Sequence, residues 1–445
     1  AFRATYNYDS RYFAEFNAGY NGSENFSPGH RFGFFPSVAG GWLVSNEKFW
    51  TGRLADVISL LKIKGSYGIV GNDQIGGNRR FIYLETINSG DKWSFGETVT
   101  SYPSYRRGEW ANDNVGWEKS RKLDVGVDVS FFDKLRVQVD WFKEKRSGIF
   151  LQRSSIPEYI GITTKPYVNI GRMRNSGWDS SLQYDQKIGQ VNFSAMGNFT
   201  FARNVIEDQD QPDYIEKYMN RTGQARWQTF GYVSDGLFKD EADIATSPDQ
   251  SALGEVRPGD IKYKDLNNDG VIDSKDVKAI GYTDVPEIVY GFGVSAQWKG
   301  FDVSVFFQGN AHVSFSINSS MVRGFTEPKM AANNVFSDIY GNYWTESNTD
   351  AKYPRITTTE ATNNNQSSDF WLVNGRYIRL KNAEFGYTFP KRLIQKMRLS
   401  QLRVFVSGTN LLTFAPFKLW DPDLQTGASN YPNTRVANIG LNIGF

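Results

Sequence analysis

The feature that most constrains this chain is a period of two. Leu123, Val125, Val127, Val129 and Phe131 are apolar, and Asp124, Gly126, Asp128 and Ser130 stand between them. Such alternation marks a strand with two different faces. After a turn at Asp133-Lys134 it resumes, with Val137, Val139 and Trp141 set against Arg136, Gln138 and Asp140. A second pair places Tyr290, Phe292, Val294, Ala296 and Trp298 against Gly291, Gly293, Ser295 and Gln297. It turns at Lys299-Gly300 and returns through Phe301, Val303, Val305 and Phe307. A third runs Trp178, Ser180, Leu182, Tyr184, turns near residues 187–190, and returns through Val191, Phe193 and Ala195. The first residues make a fourth: Phe2, Ala4, Tyr6 and Tyr8, a turn at Asp9-Ser10, then Tyr12, Ala14, Phe16, Ala18 and Tyr20.

These strands run about ten residues, the length that crosses a bilayer at a tilt. The apolar face often ends in a ring near the turn (Tyr8, Tyr12, Trp141, Trp298, Phe301), where an amphipathic ring suits a membrane interface. The other face suits a wet lumen. A soluble β-sandwich or propeller also alternates, but its strands are short, and an exposed Val/Phe/Trp face aggregates unless lipid covers it. The expected fold is all-β: a transmembrane antiparallel β-barrel with long loops on one side and tight turns on the other.

Composition agrees. The 445 residues hold 50 Lys+Arg and 48 Asp+Glu, a net charge of +2, which gives no electrostatic case for nucleic acid. There is no cysteine, and His30 and His312 are the two histidines. Disulfides, thiolate metal sites, a cysteine nucleophile and a multi-histidine site are excluded within these residues. Aromatics make up 15%, yet mean hydropathy is −0.49. No stretch approaches the roughly 20 apolar residues of a spanning helix, and no basic segment is followed by a signal-like apolar run. By size alone the chain suggests about three domains. The strand pattern instead makes 1–445 one barrel region.

The long connections are 71–119, 204–287 and 313–370. They are polar, with helix-like pieces at Asp240–Ala245 and Lys329–Tyr340. The last two are read as large extracellular loops, where ligands and partners are met. At the other extreme, Ala437, Ile439, Leu441, Ile443 and Phe445 alternate with Asn438, Gly440, Asn442 and Gly444. A long alternating strand ending in Phe is the termination signal of bacterial outer-membrane barrels.

One loop carries a metal pattern. Asp265, Asn267, Asp269, Gly270, Val271, Asp273 and Asp276 fit D-x-[DN]-x-[DN]-G with an acid at the twelfth position. Oxygen donors at positions one, three and five curl round a hard cation. Gly270 permits the turn, Val271 offers a carbonyl, Asp273 acts through water, and Asp276 closes the sphere. Asp276 is shorter than the usual Glu, as in the dockerin form of the loop. The expectation is calcium, or magnesium, as a clamp on an extracellular loop. The alternative is an Asx-rich turn without metal. No organic cofactor and no catalysis are expected, since no G-x-S-x-G, H-E-x-x-H, P-loop or dinucleotide fingerprint occurs. The acid pairs Asp208/Asp210 and Asp421/Asp423 read as solvated loop residues.

Several collinear segments then resemble one family. They are Arg31–Trp42 (RFGFFPSVAGGW), Leu61–Asn72, Phe230–Phe238, Pro258–Asp265 and Gly300–Gly309. They continue through Tyr353-Pro354-Arg355, Ser368–Trp371, Tyr377–Asn382, Gly408–Leu411 and Asp421–Asp423. Together they resemble SusC/RagA-type TonB-dependent transporters over nearly the whole chain. Two departures are Asp423, where the family often has Glu, and Gly41, a second glycine before Trp42.

The resemblance implies a 22-stranded outer-membrane barrel of a Gram-negative Bacteroidetes cell. It implies an N-terminal plug coupled to TonB and a SusD-like surface lipoprotein as lid, importing oligosaccharides or peptides. About 14–16 strands are legible here. The plug and first strands are therefore expected outside these residues, on a longer parent or a companion chain. A passive porin and a soluble calcium-dependent glycan-binding β-protein are the competing readings. Trp93, Trp110, Trp227 and Trp344 in the loops have the chemistry to stack on sugars, but are read mainly as loop packing.

Overall fold

The computed structural model describes residues 1–76, 79–97, 99–162, 164–323, 335–427 and 429–445. Thirteen strands form one sheet in which each pairs with its neighbours in chain order. They are β1 (Phe2–Tyr8), β2 (Tyr12–Gly22), β3 (Phe32–Leu43), β4 (Ile58–Asn72), β5 (Glu118–Phe131), β6 (Leu135–Gln152) and β7 (Tyr167–Ile188). They continue with β8 (Val191–Asp208), β9 (Ile288–Trp298), β10 (Phe301–Ala311), β11 (Tyr377–Thr388), β12 (Gln401–Phe414) and β13 (Val436–Gly444). The count is below the 14–16 read from sequence. Part of the difference is the segment Ile87–Phe95 with Thr100–Arg107, which pairs with itself as a ribbon outside the sheet.

The chain divides into two compact units, Ala1–Ser180 with Ala202–Asp213, and Ser181–Phe201 with Tyr214–Phe445. In the first, β5 and β6 pair Phe131↔Leu135 through Val125↔Trp141 to Lys119↔Ser147. The turn residues Phe132 (φ 54°) and Asp133 (φ 55°) both take left-handed backbone. The expected turn is in place, but Trp141 is not at it. It sits mid-strand opposite Val125, so the ring belongs to the apolar row and not to an interface belt. A small core of Phe26, Ile75, Ile82 and Val115 lies in the loops of this unit.

In the second unit, Trp298↔Phe301 closes the β9–β10 hairpin over Lys299 (φ 47°) and Gly300 (φ 90°), the two-residue turn whose twist matches its strands. A Cβ on Gly300 would lie 2.6 Å from the Thr388 carbonyl oxygen, so both space and φ require glycine. The final strand pairs Leu441↔Val404 and Ile439↔Val406, as its alternation predicts.

The two sheet faces are the inverse of a soluble protein's. On β9, Phe292 (44%), Val294 (44%) and Trp298 (48%) are exposed, whereas Gly291 and Gly293 are buried on the opposite face. The buried apolar cluster of this unit is in its loops, around Ile261, Tyr263, Ile272, Phe315 and Trp371. A sheet that shows rings outward while its loops carry the core is built for a hydrocarbon surround. Among the described residues no helix is long and apolar enough to cross a membrane.

The helix expected at Asp240–Ala245 is present as Glu241–Thr246, capped by the Asp240 side chain on the Asp243 N–H. The one expected at Lys329–Tyr340 lies partly outside the described residues. Its described part, 335–340, ends in a turn instead.

Candidate functional site

The inner face is polar and cross-linked. In the first unit Lys64 Nζ lies 3.1 Å from Asp128 and 2.9 Å from Asp140, tying β4, β5 and β6 together. Beside it a groove of about 530 Å³ is lined by Asn7, Phe13, Glu15, Lys62, Lys64 and Asp124, with Gly40, Gly41 and Gly65 also on its lining. In the second unit Arg403 on β12 reaches Asp302 on β10 and Glu384 on β11, each at 2.5 Å. Ion pairs and glycines line this face, which suits contact with water rather than hydrocarbon.

Around the strand ends of the second unit the long connections fold into a compact assembly. Its centre is Asp260, fully buried. Its carboxylate accepts from Arg355 Nε (2.7 Å) and Nη2 (3.2 Å), from Asn364 Nδ2 (2.8 Å) and from the Arg257 N–H (2.9 Å). Asn363 and Gln250, also buried, donate to the Ile261 carbonyl at 2.8 and 3.2 Å. Tyr263 Oη donates to the Asn363 carbonyl, and Trp371 Nε1 to that of Asn364. Burial pushes the Tyr263 phenol well up. The segments Pro258–Asp265, Tyr353–Arg355 and Ser368–Trp371 are thus brought together, although more than 90 residues separate Asp260 from Arg355 in sequence. At the rim of this assembly a hydrogen bond from Lys262 (2.8 Å) holds the Asp243 carboxyl below the usual carboxylate range.

The acid pairs read as solvated are in fact partnered. Arg379, buried on β11, is 2.5 Å from Asp421 and 2.6 Å from Asp423. In the first unit Asp208 pairs with Arg172, and Asp210 accepts from Arg153 and from the N–H groups of Ser154 and Ser155. Spacing gave no sign of this, because the partners lie tens of residues away.

In the 265–276 loop the acids face inward on their own backbone. Asp265 accepts the N–H groups of Asn268 (2.6 Å) and Gly270 (2.8 Å). Asn267 accepts that of Asp269, and Asp269 that of Val271. Asp273 accepts the Lys275 N–H, while buried Asp276 accepts those of Leu266 (2.7 Å) and Asp273 (2.9 Å). The ammonium of Lys275 lies 3.4 Å from both Asp269 and Asp273. The hydrogen bond from Asn267, then that from the Val271 N–H, holds Asp269 below the usual carboxylate range. Burial and the surrounding acids push Tyr218, which donates to the Lys275 carbonyl, up to about 12. Among the described residues no three acidic or histidine side chains converge as a metal site. As arranged, the side-chain oxygens of the loop accept its own backbone N–H groups, and the Lys275 ammonium is the cation beside Asp269 and Asp273.

Comparison with known proteins bears on the whole chain. It is 29% identical over 476 aligned residues to TonB-dependent receptor P3 of Formosa agariphila, covering all of this chain and 45% of the relative. It is 26% identical over 457 residues to TonB-dependent receptor SusC of Bacteroides thetaiotaomicron, again covering all of this chain and 43% of the relative. In fold it superimposes on a structure of the RagAB peptide transporter with a TM-score of 0.75 at 22% identity, covering 100% of this chain and 47% of the other. In sequence the chain is thus similar to TonB-dependent receptors, SusC among them, and in fold to RagAB. No family model matches it. The chain spans about half the length of the curated relatives it matches. These relatives carry the names of receptors and of a transporter.

The four loop tryptophans part ways. Trp344 packs over Gly259, and Trp110 lies under the Arg107 guanidinium at 4.2 Å, both as loop packing. Trp227 is exposed, with Arg226 4.8 Å from its ring. Trp93 is 62% exposed on the ribbon, opposite Tyr102.

Proposed function

We propose that this chain forms barrel wall and loops of a TonB-coupled importer in the outer membrane of a Gram-negative bacterium of the Bacteroidetes. A plug, carried outside these residues, couples it to TonB. A SusD-like lipoprotein caps the loops, and oligosaccharides or peptides are the cargo. The observation that carries this reading is similarity to part of TonB-dependent receptors over the whole of this chain, in a sheet whose rings face outward and whose ion pairs face inward. The Asp260-centred assembly supports it as a rigid rim on which a lid can close.

The test is uptake in the native cell. Fluorescently labelled oligosaccharides and peptides should accumulate in the periplasm of the parent strain. They should fail to do so when either the full-length gene or TonB is deleted. Uptake that survives TonB loss would replace the importer with a passive porin. A protein that stays monomeric without detergent would replace both with a soluble β-protein.

A further inference from the structure

We propose that Lys119, Arg121, Lys143 and Lys145 form a binding site for the phosphorylated headgroup of an outer-leaflet lipid. They lie at the ends of β5 and β6 remote from the tight turn at 132–134. Strand parity puts all four on the apolar face. Leu123, Val125, Val127, Val129 and Phe131 run up β5, and the next residues in the same row are Arg121 and Lys119. On β6 the row reads Leu135, Val137, Val139 and Trp141, then Lys143 and Lys145. The register sets Arg121 directly opposite Lys145, Leu123 opposite Lys143, and Lys119 opposite Ser147.

Two like charges directly opposed on a sheet are destabilising. On the β4 side no charge on their own face offsets them. The neighbouring positions on β4 are Ile69, opposite Arg121, and Gly71, opposite Lys119. The nearby acids face the other way: Glu118 and Glu144 hold Arg146, Glu144 also accepts from Ser120, and Glu118 from Asn72. Among the described residues none of the four cations has a carboxylate partner. Arg121 makes only a long contact of 3.4 Å to the Ser147 hydroxyl. Lys119, Arg121 and Lys145 are exposed.

The position selects the ligand. Leu123 to Phe131 covers about 27 Å along the strand at about 3.4 Å per residue. At a tilt of about 40° that is roughly 20 Å of depth, most of the apolar band of a barrel. The next rows therefore reach headgroup level on the long-loop side. There cations on an outward face meet neither lumen nor hydrocarbon, but the phosphates of lipid headgroups. Guanidinium and ammonium groups with a hydroxyl beside them provide the donors that phosphate oxygens take. The apolar row beneath receives the acyl chains.

This inference rests on the membrane reading, and its experiment separates the two. The native full-length protein is purified in mild detergent. It is presented with monophosphoryl lipid A, its dephosphorylated counterpart and inorganic phosphate, and bound molecules are counted by native mass spectrometry. The expected result is retention of the phosphorylated lipid over the dephosphorylated one by tenfold or more, weakened by salt. Each single change to Gln at the four positions should lower affinity roughly fivefold. The fourfold variant should abolish the preference, while K143R/K145R keeps it. Lys62→Gln, on the inner face, should leave it unchanged. The fourfold variant relieves repulsion, and heat-modifiable migration checks that it folds. Equal retention of both lipids, or full displacement by millimolar inorganic phosphate, overturns the site. So does unchanged lipid retention in a variant that instead loses an acidic protein. A protein that needs no detergent overturns the membrane reading itself. One that needs detergent but keeps no phosphorylated lipid overturns only this site.

Discussion

Removing the Arg355 side chain tests whether the loop assembly is held by its buried charge pair. Asp260 is fully buried, and Arg355 supplies two of the four hydrogen bonds to its carboxylate, at 2.7 and 3.2 Å. Breaking a buried pair by removing one partner costs roughly 3–5 kcal/mol, because a charge is left uncompensated. Asn364 and the Arg257 N–H still serve Asp260 in Arg355→Ala, and the Arg355 side chain is 20% exposed, so the lower end applies. About 3 kcal/mol corresponds to a local opening raised roughly a hundredfold. The strands beneath share none of these bonds. Amide exchange resolved by mass spectrometry should therefore accelerate by about that factor in 258–263 and 353–365, while β9–β12 stay protected. Acceleration of less than tenfold in the loops would refute the reasoning. So would equal acceleration in the strands, which would mean that loops and wall open as one unit.

Three further outcomes follow from the same geometry. Val127→Lys, in the middle of the outward row of β5, should destabilise the folded barrel in lipid by about 2–4 kcal/mol, whereas Val127→Leu should be near neutral. Urea titration of the protein in vesicles measures this, and equal stabilities would mean that this row does not face hydrocarbon. Asp243 and Asp269 have folded carboxyls held below their unfolded values, by Lys262 and by Asn267 respectively. Their contribution to loop stability is present above the ordinary carboxylate range near pH 4 and is lost as pH falls through the folded values. Loop proteolysis should therefore be flat from neutrality to about pH 5 and rise only below it. A rise near pH 6–7 would refute the assignment to these carboxyls. Calcium or magnesium at 265–276 requires Lys275 to leave Asp269 and Asp273. Lys275→Ala should then raise affinity in isothermal titration, and no binding heat in either protein would remove the metal from this loop.

The wall was legible in the sequence for a simple reason. A strand's side chains alternate, and each face meets a different solvent, so membrane and lumen are written as odd and even positions. Hairpins such as 290–307 and the last strand were placed almost to the residue, because Lys-Gly and the ends of alternation mark turns locally. The Trp141 ring shows the limit. Alternation assigns its face, but only pairing opposite Val125 assigns its depth.

The loops were legible as loops and little more. The 265–276 pattern is a statement about spacing. Whether its oxygens point at a cation or at their own backbone depends on torsions that spacing does not carry. The pairing of Asp260 with Arg355 and of Arg379 with Asp421 and Asp423 joins distant segments, so no local window contains both partners. The basic residues of β5 and β6 are visible as letters, but parity and register were needed to sort Arg146 onto the acids inside and Arg121 onto Lys145 outside. The sequence by itself determined which residues can face lipid, because that depends on a two-residue period. Only the tertiary structure decided which charges are paired, because that depends on where separate segments meet.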